Sequence, residues 1–249
     1  MGIAPRIAEF ARVYLYDRAG FGYSPAAMEP RTARQCAREL DPPEPAVLVG
    51  HSFGSLIVRL FAEMNPDRVK GLVLVDPILQ HEWFPATDTS RARQAHGIRV
   101  ATWMARAARL GLVRLGISVM AGRKKKLSPA TQQLLGELEK LPPETWPLIR
   151  QHWSRSLSFV TMRRYLESLE ESCEDGLRFQ PLGDLPLIVI SGAHLNEQQR
   201  EEHARLAGLS TRGRHLVATE GRHWVHLDQP DLVVESIRQV CEESTSTIS

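Results

Sequence analysis

The sequence predicts an α/β protein built on a mostly parallel sheet with helices on both faces. Short runs of aliphatic residues, many of them β-branched, recur at 46–49, 71–75, 185–191 and 215–219, and segments with helical spacing of apolar positions separate them. Helices of this kind supply the crossover connections that parallel strands need. A length of 249 residues is enough for one such domain with an insertion.

The N-terminal part of the chain alternates between strand and helix signals. Residues 12–16 are predicted to form a buried strand, and 18–25 a loop punctuated by glycine and proline. A short helix is expected over 32–40, where the following Asp-Pro-Pro stops it. The strand at 46–49 leads into a helix that ends near Asn65.

The rest of the chain divides into a helical insertion and a second strand-helix part. Residues 80–180 are predicted to form helices separated by proline and glycine breaks, and the predicted strand at 185–191 follows them. The last helix is expected over 231–240. We therefore expect four segments: a first core part over 1–79, a helical lid or cap over 80–180, a second core part over 181–241 and a frayed polar tail over 242–249.

The composition argues against several classes of protein. Hydrophobic residues make up 43% and charged residues 24%, and a formal net charge of +2 gives no support for nucleic-acid binding. Three distant cysteines imply no disulfide framework and fit a cytoplasmic protein. We expect neither a signal peptide nor a membrane span. Without metal-ligand spacing or a phosphate-binding loop, we expect no cofactor and no metal.

The most informative stretch is Gly50-His51-Ser52-Phe53-Gly54, which lies between a predicted strand and a predicted helix. In that context a G-x-S-x-G sequence is typical of a nucleophile elbow, a sharp turn that exposes the serine hydroxyl at the edge of the sheet. We expect Gly50 and Gly54 to leave room for the turn, because a side chain at either site would collide with a neighbouring element. The N-terminus of the helix would direct backbone N–H groups toward the same spot.

Three other segments accompany the elbow in a fixed order. They are residues 16–24, with the sequence YDRAGFGYS, residues 72–77, with LVLVDP, and residues 221–230, with GRHWVHLDQP. Together with the elbow they resemble the α/β-hydrolase-fold serine hydrolases, a superfamily of esterases, lipases and peptidases. The resemblance implies the α/β-hydrolase fold with a helical lid. It also implies hydrolysis of a small acyl substrate, most simply a carboxylic ester, through an acyl-enzyme at Ser52.

The same resemblance suggests the partners of Ser52. His223 follows the last strand, where the histidine of a catalytic triad lies in this family, and His226 is its competitor. Two residues are candidates for the acid that would orient the histidine: Asp76, at the end of a strand, and Glu197, after the next-to-last strand. The remaining histidines, His51 among them, are interpreted as solvated or packing residues.

The oxyanion hole would use the backbone N–H of Phe53. In the family, a second N–H comes from a His-Gly loop carried by two or three strands that precede the segment around Tyr16. We expect those strands and that loop to be missing here, which would leave the sheet to end at the strand over 12–16. The expected consequences are weak turnover and self-association. An alternative function is therefore an impaired hydrolase-like protein with a binding role or none.

Residues 97–126 combine apolar and basic side chains. Two interpretations are open: a lid helix with an apolar inner face and a solvated basic face, or a basic amphipathic helix that contacts an anionic membrane.

Overall fold

The computed structural model describes residues 2–120, 140–141 and 143–245. Its strands are Ala46–His51 (β1), Val69–Val75 (β2), Leu187–Ser191 (β3) and Gly213–Val217 (β4). Its helices are Ala4–Ile7 (α1), Ala33–Arg38 (α2), Phe53–Met64 (α3), Asp88–Arg109 (α4), Leu112–Met120 (α5), Trp146–Trp153 (α6), Ser156–Glu167 (α7), Leu169–Gly176 (α8), Glu197–Ala207 (α9), Val225–Asp228 (α10) and Pro230–Thr245 (α11).

The four strands form one parallel sheet in the order β1-β2-β3-β4. His51 is in register with Val75, Val75 with Ile190, and Ser191 with Val217. Because all four strands run in the same direction, the residues that follow them meet at one edge of the sheet. This confirms the predicted parallel sheet and fixes the place of the candidate site.

The core lies on both faces of the sheet. Strand β2 is buried at every position except Lys70, as expected for a strand covered on its two sides. On one face, α10 and α11 contribute Val225, Val233, Ile237 and Val240 to a cluster with alternate residues of β2 and β3. Helix α1 adds partly buried side chains to the same cluster.

Helix α3, which follows the elbow, is anchored by a buried ion pair. The Arg59 guanidinium lies 2.6 Å from the Glu63 carboxylate and also donates to the Gly176 carbonyl, and Arg59 is only 1% exposed. Burial lowers the pKa of Arg59 and raises that of Glu63, while their mutual attraction opposes both changes. Removal of one partner would leave an uncompensated buried charge, so α3 has a well-defined position beneath the elbow.

Two predicted elements differ from the structure. Residues 12–16 form no strand, and Tyr14, Leu15 and Tyr16 are more than half exposed. The prediction of a buried strand there was wrong, because strong β propensity needs a neighbouring strand to pair with and none lies beside this segment among the described residues. The sheet therefore ends at β1. The predicted tail was also wrong in part, since α11 continues to Thr245; residues 246–249 lie outside the described part of the chain.

The chain divides into two compact units. The first comprises residues up to 14, 33–85 and 171 onward, and it contains the whole sheet. The second comprises 15–32 and 86–170 and contains α4 to α7. These bounds differ from the expected segments, because 80–85 and 171–180 belong with the sheet and 15–32 with the helical unit.

None of the helices in the described residues has both the length and the apolarity needed to cross a lipid bilayer.

Candidate active site

Ser52 occupies the sharp turn predicted between β1 and α3. Its backbone angles are φ 54° and ψ −123°, a conformation that residues other than glycine rarely adopt. Its N–H donates to the Val75 carbonyl over 3.0 Å, which ties the turn to the end of β2. The strained serine is therefore held at the carboxyl edge of the sheet, beside the first residue after β2.

The two glycines of the elbow differ. A Cβ at Gly50 would lie 2.6 Å from the Gly54 carbonyl oxygen, so only glycine fits there. A Cβ at Gly54 would meet nothing within 4 Å. The expectation that both positions exclude a side chain was wrong for Gly54, since that residue faces open space among the described residues.

His223 is joined to Asp76 across the end of the sheet. Their side chains lie 2.6 Å apart, from the imidazole Nδ1 to the carboxylate Oδ2. Because the carboxylate only accepts, Nδ1 carries the proton, and in its neutral form the ring would then present a lone pair at Nε2. That is the tautomer that a general base requires.

Asp76 is held in place through its backbone and both carboxylate oxygens. It has φ 42°, it is 2% exposed, and its Oδ1 accepts a hydrogen bond from the Gly192 N–H over 2.8 Å. Burial alone raises the pKa of Asp76, but the hydrogen bonds from His223 and Gly192 outweigh it, so the pKa lies below its ordinary value. Asp76 therefore remains a carboxylate that can orient His223.

The two competing residues have other positions. Glu197 is exposed in the first turn of α9, where the Asn196 side chain caps the helix, and it makes no hydrogen bond to His223 in the described structure. The structure therefore brings Asp76, and not Glu197, to the histidine. His226 lies behind the site, with its ring 4.7 Å from that of His51, and burial lowers its pKa to about 4.

His51 has a role that sequence reasoning missed. Its Nε2–H donates to the backbone carbonyl of His223 over 2.7 Å, and its ring lies between those of His223, Trp224 and His226. Burial, followed by the neighbouring imidazoles, lowers the pKa of His51 to about 3. The elbow thus fixes the backbone of the histidine loop with a neutral donor. The only signal in the sequence is its position next to Ser52.

A second group that the sequence analysis missed lies beneath Asp76. His203 is fully buried, its Nε2–H donates to the Pro77 carbonyl over 2.9 Å, and its Nδ1 accepts from the Ser191 hydroxyl over 2.9 Å. Ser191 in turn accepts from His215 over 2.8 Å. Burial lowers the pKa of His203 to about 4, so the ring is a neutral link. This chain supports both the segment that carries Asp76 and the strand end that precedes Gly192.

The proposed oxyanion donor, Phe53, follows Ser52 directly and is the first residue of α3, so its N–H belongs to the first turn of that helix. The Ser52 hydroxyl makes no hydrogen bond to His223 within the described residues. Such contacts are often loose before a substrate binds and tighten only in the complex. The arrangement thus places a serine hydroxyl, an imidazole bonded to a carboxylate and the first backbone N–H of a helix at a single edge of the sheet.

Two further kinds of chemistry receive no support from the described residues. No group of three or more His, Cys, Asp or Glu side chains there has the geometry of a metal site. Burial raises the pKa of Cys173 to about 12, which keeps its thiol protonated and unreactive.

Comparison with known families agrees with this geometry. The sequence model of the alpha/beta hydrolase fold family matches residues 1–230. The chain belongs to that family. The α/β-hydrolase resemblance inferred from the four motifs is thereby confirmed, together with the fold class.

Curated relatives match only part of this chain. A segment is 39% identical over 74 residues to the uncharacterized protein YqjL of Bacillus subtilis, covering 27% of this chain and 29% of that protein. Another is 39% identical over 79 residues to the pimeloyl-[acyl-carrier protein] methyl ester esterase of Aeromonas hydrophila, covering 30% of each. The matches thus span less than a third of either relative.

Solved structures share the fold over most of the chain. A thermophilic esterase from Thermogutta terrifontis has a TM-score of 0.58 at 22% identity, over 92% of this chain and 78% of the esterase. The epoxide hydrolase CorEH has a TM-score of 0.67 at 19% identity, over 96% of this chain and 84% of that protein. At such identities the likeness establishes the fold alone.

Proposed function

We propose that this member of a hydrolase family is a serine hydrolase that cleaves esters through an acyl-enzyme at Ser52. The observation that carries the proposal is the contact of 2.6 Å between His223 and Asp76 at the sheet edge where Ser52 occupies its strained turn. Nucleophile, base and orienting carboxylate are the three groups that acyl transfer requires.

In the proposed reaction, the Ser52 Oγ attacks the carbonyl carbon of the ester while His223 Nε2 removes its proton. The tetrahedral oxyanion is stabilised by the Phe53 N–H and the N-terminus of α3. His223 then donates the proton to the leaving alcohol, and the acyl group stays on Ser52. Water, deprotonated by the same imidazole, attacks the acyl-enzyme and releases the carboxylic acid and the free serine. Asp76 orients the ring and stabilises its positive charge throughout.

The proposal also specifies the type of bond that is cleaved. An esterase is named among both the curated relatives and the solved structures of this fold. An alkoxide is also a better leaving group than an amide nitrogen, so one backbone donor is more adequate for an ester than for a peptide. We therefore place a small or medium carboxylic ester first.

Hydrolysis of p-nitrophenyl acetate and butyrate tests the proposal. We expect a turnover above background that Ser52→Ala reduces to background, while Ser24→Ala, a serine in the helical unit, leaves it unchanged. Release of p-nitrophenol in a burst, with the acyl group recovered on Ser52, would support the acyl-enzyme. Turnover that survives Ser52→Ala would overturn the proposal.

A binding protein without turnover is the second candidate. One observation favours it: the Ser52 hydroxyl makes no hydrogen bond to His223 in the described structure. A folded, cooperatively melting protein that neither hydrolyses esters nor acquires an acyl group would establish this alternative.

A further inference from the structure

The helical unit carries an outward face that combines large apolar side chains with arginines. Along α4 and its C-cap, the residues Arg99, Trp103, Arg106 and Leu110 follow one another at spacings of four, three and four, so they form a single stripe. Trp103 is 67% exposed and Leu110 75% exposed. The opposite side of α4 buries Ala101 and Ala105 and contacts α7. The stripe therefore faces away from the packed side of its own unit.

Large apolar side chains are also exposed beside this stripe and in the helix that follows it. Leu112 and Leu115 of α5 are 54% and 61% exposed, and Val100 adds a further apolar side chain at 46%. Together with Trp103 and Leu110 they make five exposed apolar side chains within sixteen consecutive positions, from 100 to 115. Soluble surfaces rarely expose so many large apolar groups together without a contact that covers them.

The charge on this face has one sign. Residues 89–126 contain ten arginine and lysine side chains and no aspartate or glutamate. Residues 121–126, with four of those cations, lie outside the described part of the chain. The other six include Arg99 and Arg106, which are exposed, and Arg106 stacks on the Trp103 ring at 5.4 Å. An occupant must therefore be anionic as well as apolar.

We propose that this face docks on the surface of a lipid bilayer that contains anionic lipids. It is defined by Arg99, Val100, Trp103, Arg106, Leu110, Leu112 and Leu115. Tryptophan and leucine would enter the boundary between headgroups and acyl chains, while arginine guanidiniums remain at the phosphates. A purely acidic protein would satisfy the arginines and leave the apolar side chains exposed. The bilayer matches both kinds of group, and the contact lies along its surface, with no span across it.

Of the two interpretations that the sequence left open for residues 97–126, this inference develops contact with an anionic membrane and not a lid helix with an apolar inner face and a solvated basic face. In the structure, Trp103 and Leu110 lie on the exposed side together with the arginines, so the apolar and basic groups share one surface. The proposal does not depend on the proposed hydrolase activity, because it can be measured without a substrate.

Flotation in a density gradient tests the proposal with the full-length chain, because self-associated protein stays at the bottom and vesicle-bound protein rises. Vesicles of phosphatidylcholine with about 30% phosphatidylglycerol are compared with vesicles of phosphatidylcholine alone. We expect flotation with the anionic vesicles, and a marked loss as the salt concentration rises from about 0.05 M to about 0.5 M.

Two double variants separate the two components of the face. Arg99→Glu/Arg106→Glu and Trp103→Ala/Leu110→Ala should each weaken partitioning by roughly tenfold or more. The matched controls Arg38→Glu on α2 and Met28→Ala, a methionine that is 90% exposed elsewhere, should float like the wild type. If the charge-reversed protein fails to fold, Arg99→Gln/Arg106→Gln should show the same loss to a smaller extent.

Three results would overturn the proposal. One is an absence of flotation with anionic vesicles. Another is equal flotation of the wild type and both double variants. The third is a loss confined to the charge variant, with Trp103→Ala/Leu110→Ala unchanged, which would show that the apolar side chains do not enter the bilayer.

Discussion

Asparagine can adopt the backbone conformation found at Asp76, so the role of this carboxylate can be tested by substitution. Both residue types tolerate the positive φ of 42° found there. Asp76→Asn would keep the fold, but its amide can donate to Nδ1 and so favour the wrong imidazole tautomer. We expect kcat for p-nitrophenyl acetate to fall by about 10³ to 10⁴, with little change in the melting temperature.

The control for this prediction is Glu197→Gln, which changes an exposed carboxylate on α9 and should leave kcat unchanged. A large loss in Glu197→Gln, with Asp76→Asn active, would move the acid to α9 and contradict the geometry described above.

The two elbow glycines form a matched pair for the turn itself. Gly50→Ala would place a Cβ 2.6 Å from backbone atoms, which cannot move as a flexible side chain can. We expect a loss of about 3 kcal/mol or more in the free energy of unfolding. Gly54→Ala adds a methyl group in open space within a helix, and should be neutral or slightly stabilising. Urea denaturation of both variants checks this; equal losses would be inconsistent with the elbow geometry.

At the scale of elements, three neutral histidines support the site, and they make the stability depend on pH. The native pKa values are about 3 for His51 and about 4 for His203 and His226, each lowered from 6.5, chiefly by burial. Below pH 6.5 the unfolded chain binds protons that the native state does not. Stability from these residues is therefore complete above about pH 6.5 and is lost as the pH falls toward 4.

Each of these histidines contributes up to about 1.4 kcal/mol per pH unit in that window. We predict that His203→Gln reduces the slope of unfolding free energy against pH, between pH 6 and pH 4.5, by roughly that amount. His96→Gln, on the exposed side of α4, serves as the control. Urea titrations at several pH values provide the measurement. An identical slope in His203→Gln and the wild type would show that His203 is charged in the native state.

At the scale of the whole molecule, the sheet has two unequal edges. The β4 edge carries Arg214 and His215, whereas β1 has no charged side chain, and its Val49 is 42% exposed. No strand pairs with the outer side of β1 among the described residues. Such an edge can pair with another chain.

We therefore predict that the 249-residue chain self-associates and that Val49→Lys shifts it toward the monomer. Val217→Lys, at the already charged β4 edge and with a similar exposure of 41%, should have a smaller effect. Sedimentation velocity at about 10 and 100 µM compares the three proteins. A wild-type chain that is monomeric at both concentrations would contradict this prediction.

The sequence was sufficient for the features that depend on local patterns. The elbow at Ser52, the strands around it and the helices of the insertion follow from periodicity and turn residues over short windows. His223 followed from its place after the last strand. The preference for Asp76 over Glu197 could not be settled in the same way, because it depends on which of two strand ends faces a residue 147 positions away.

Other features could not be predicted from the sequence, because they too depend on tertiary contacts. Residues 12–16 have strand propensity, but a strand also requires a partner, and pairing is a tertiary property. His51 and His203 resemble ordinary packing residues until the fold brings them to the His223 and Pro77 carbonyls. The boundaries of the two compact units likewise depend on contacts between residues that are far apart in the sequence.

The central claim is that Ser52, activated by His223 and oriented Asp76, is the nucleophile. The most direct measurement is labelling by a fluorophosphonate probe, with the modified residue located by mass spectrometry of peptides. We predict a single adduct at Ser52, lost in Ser52→Ala and formed far more slowly in His223→Gln and Asp76→Asn. An adduct at another residue, or equal labelling of wild type and Ser52→Ala, would contradict the account.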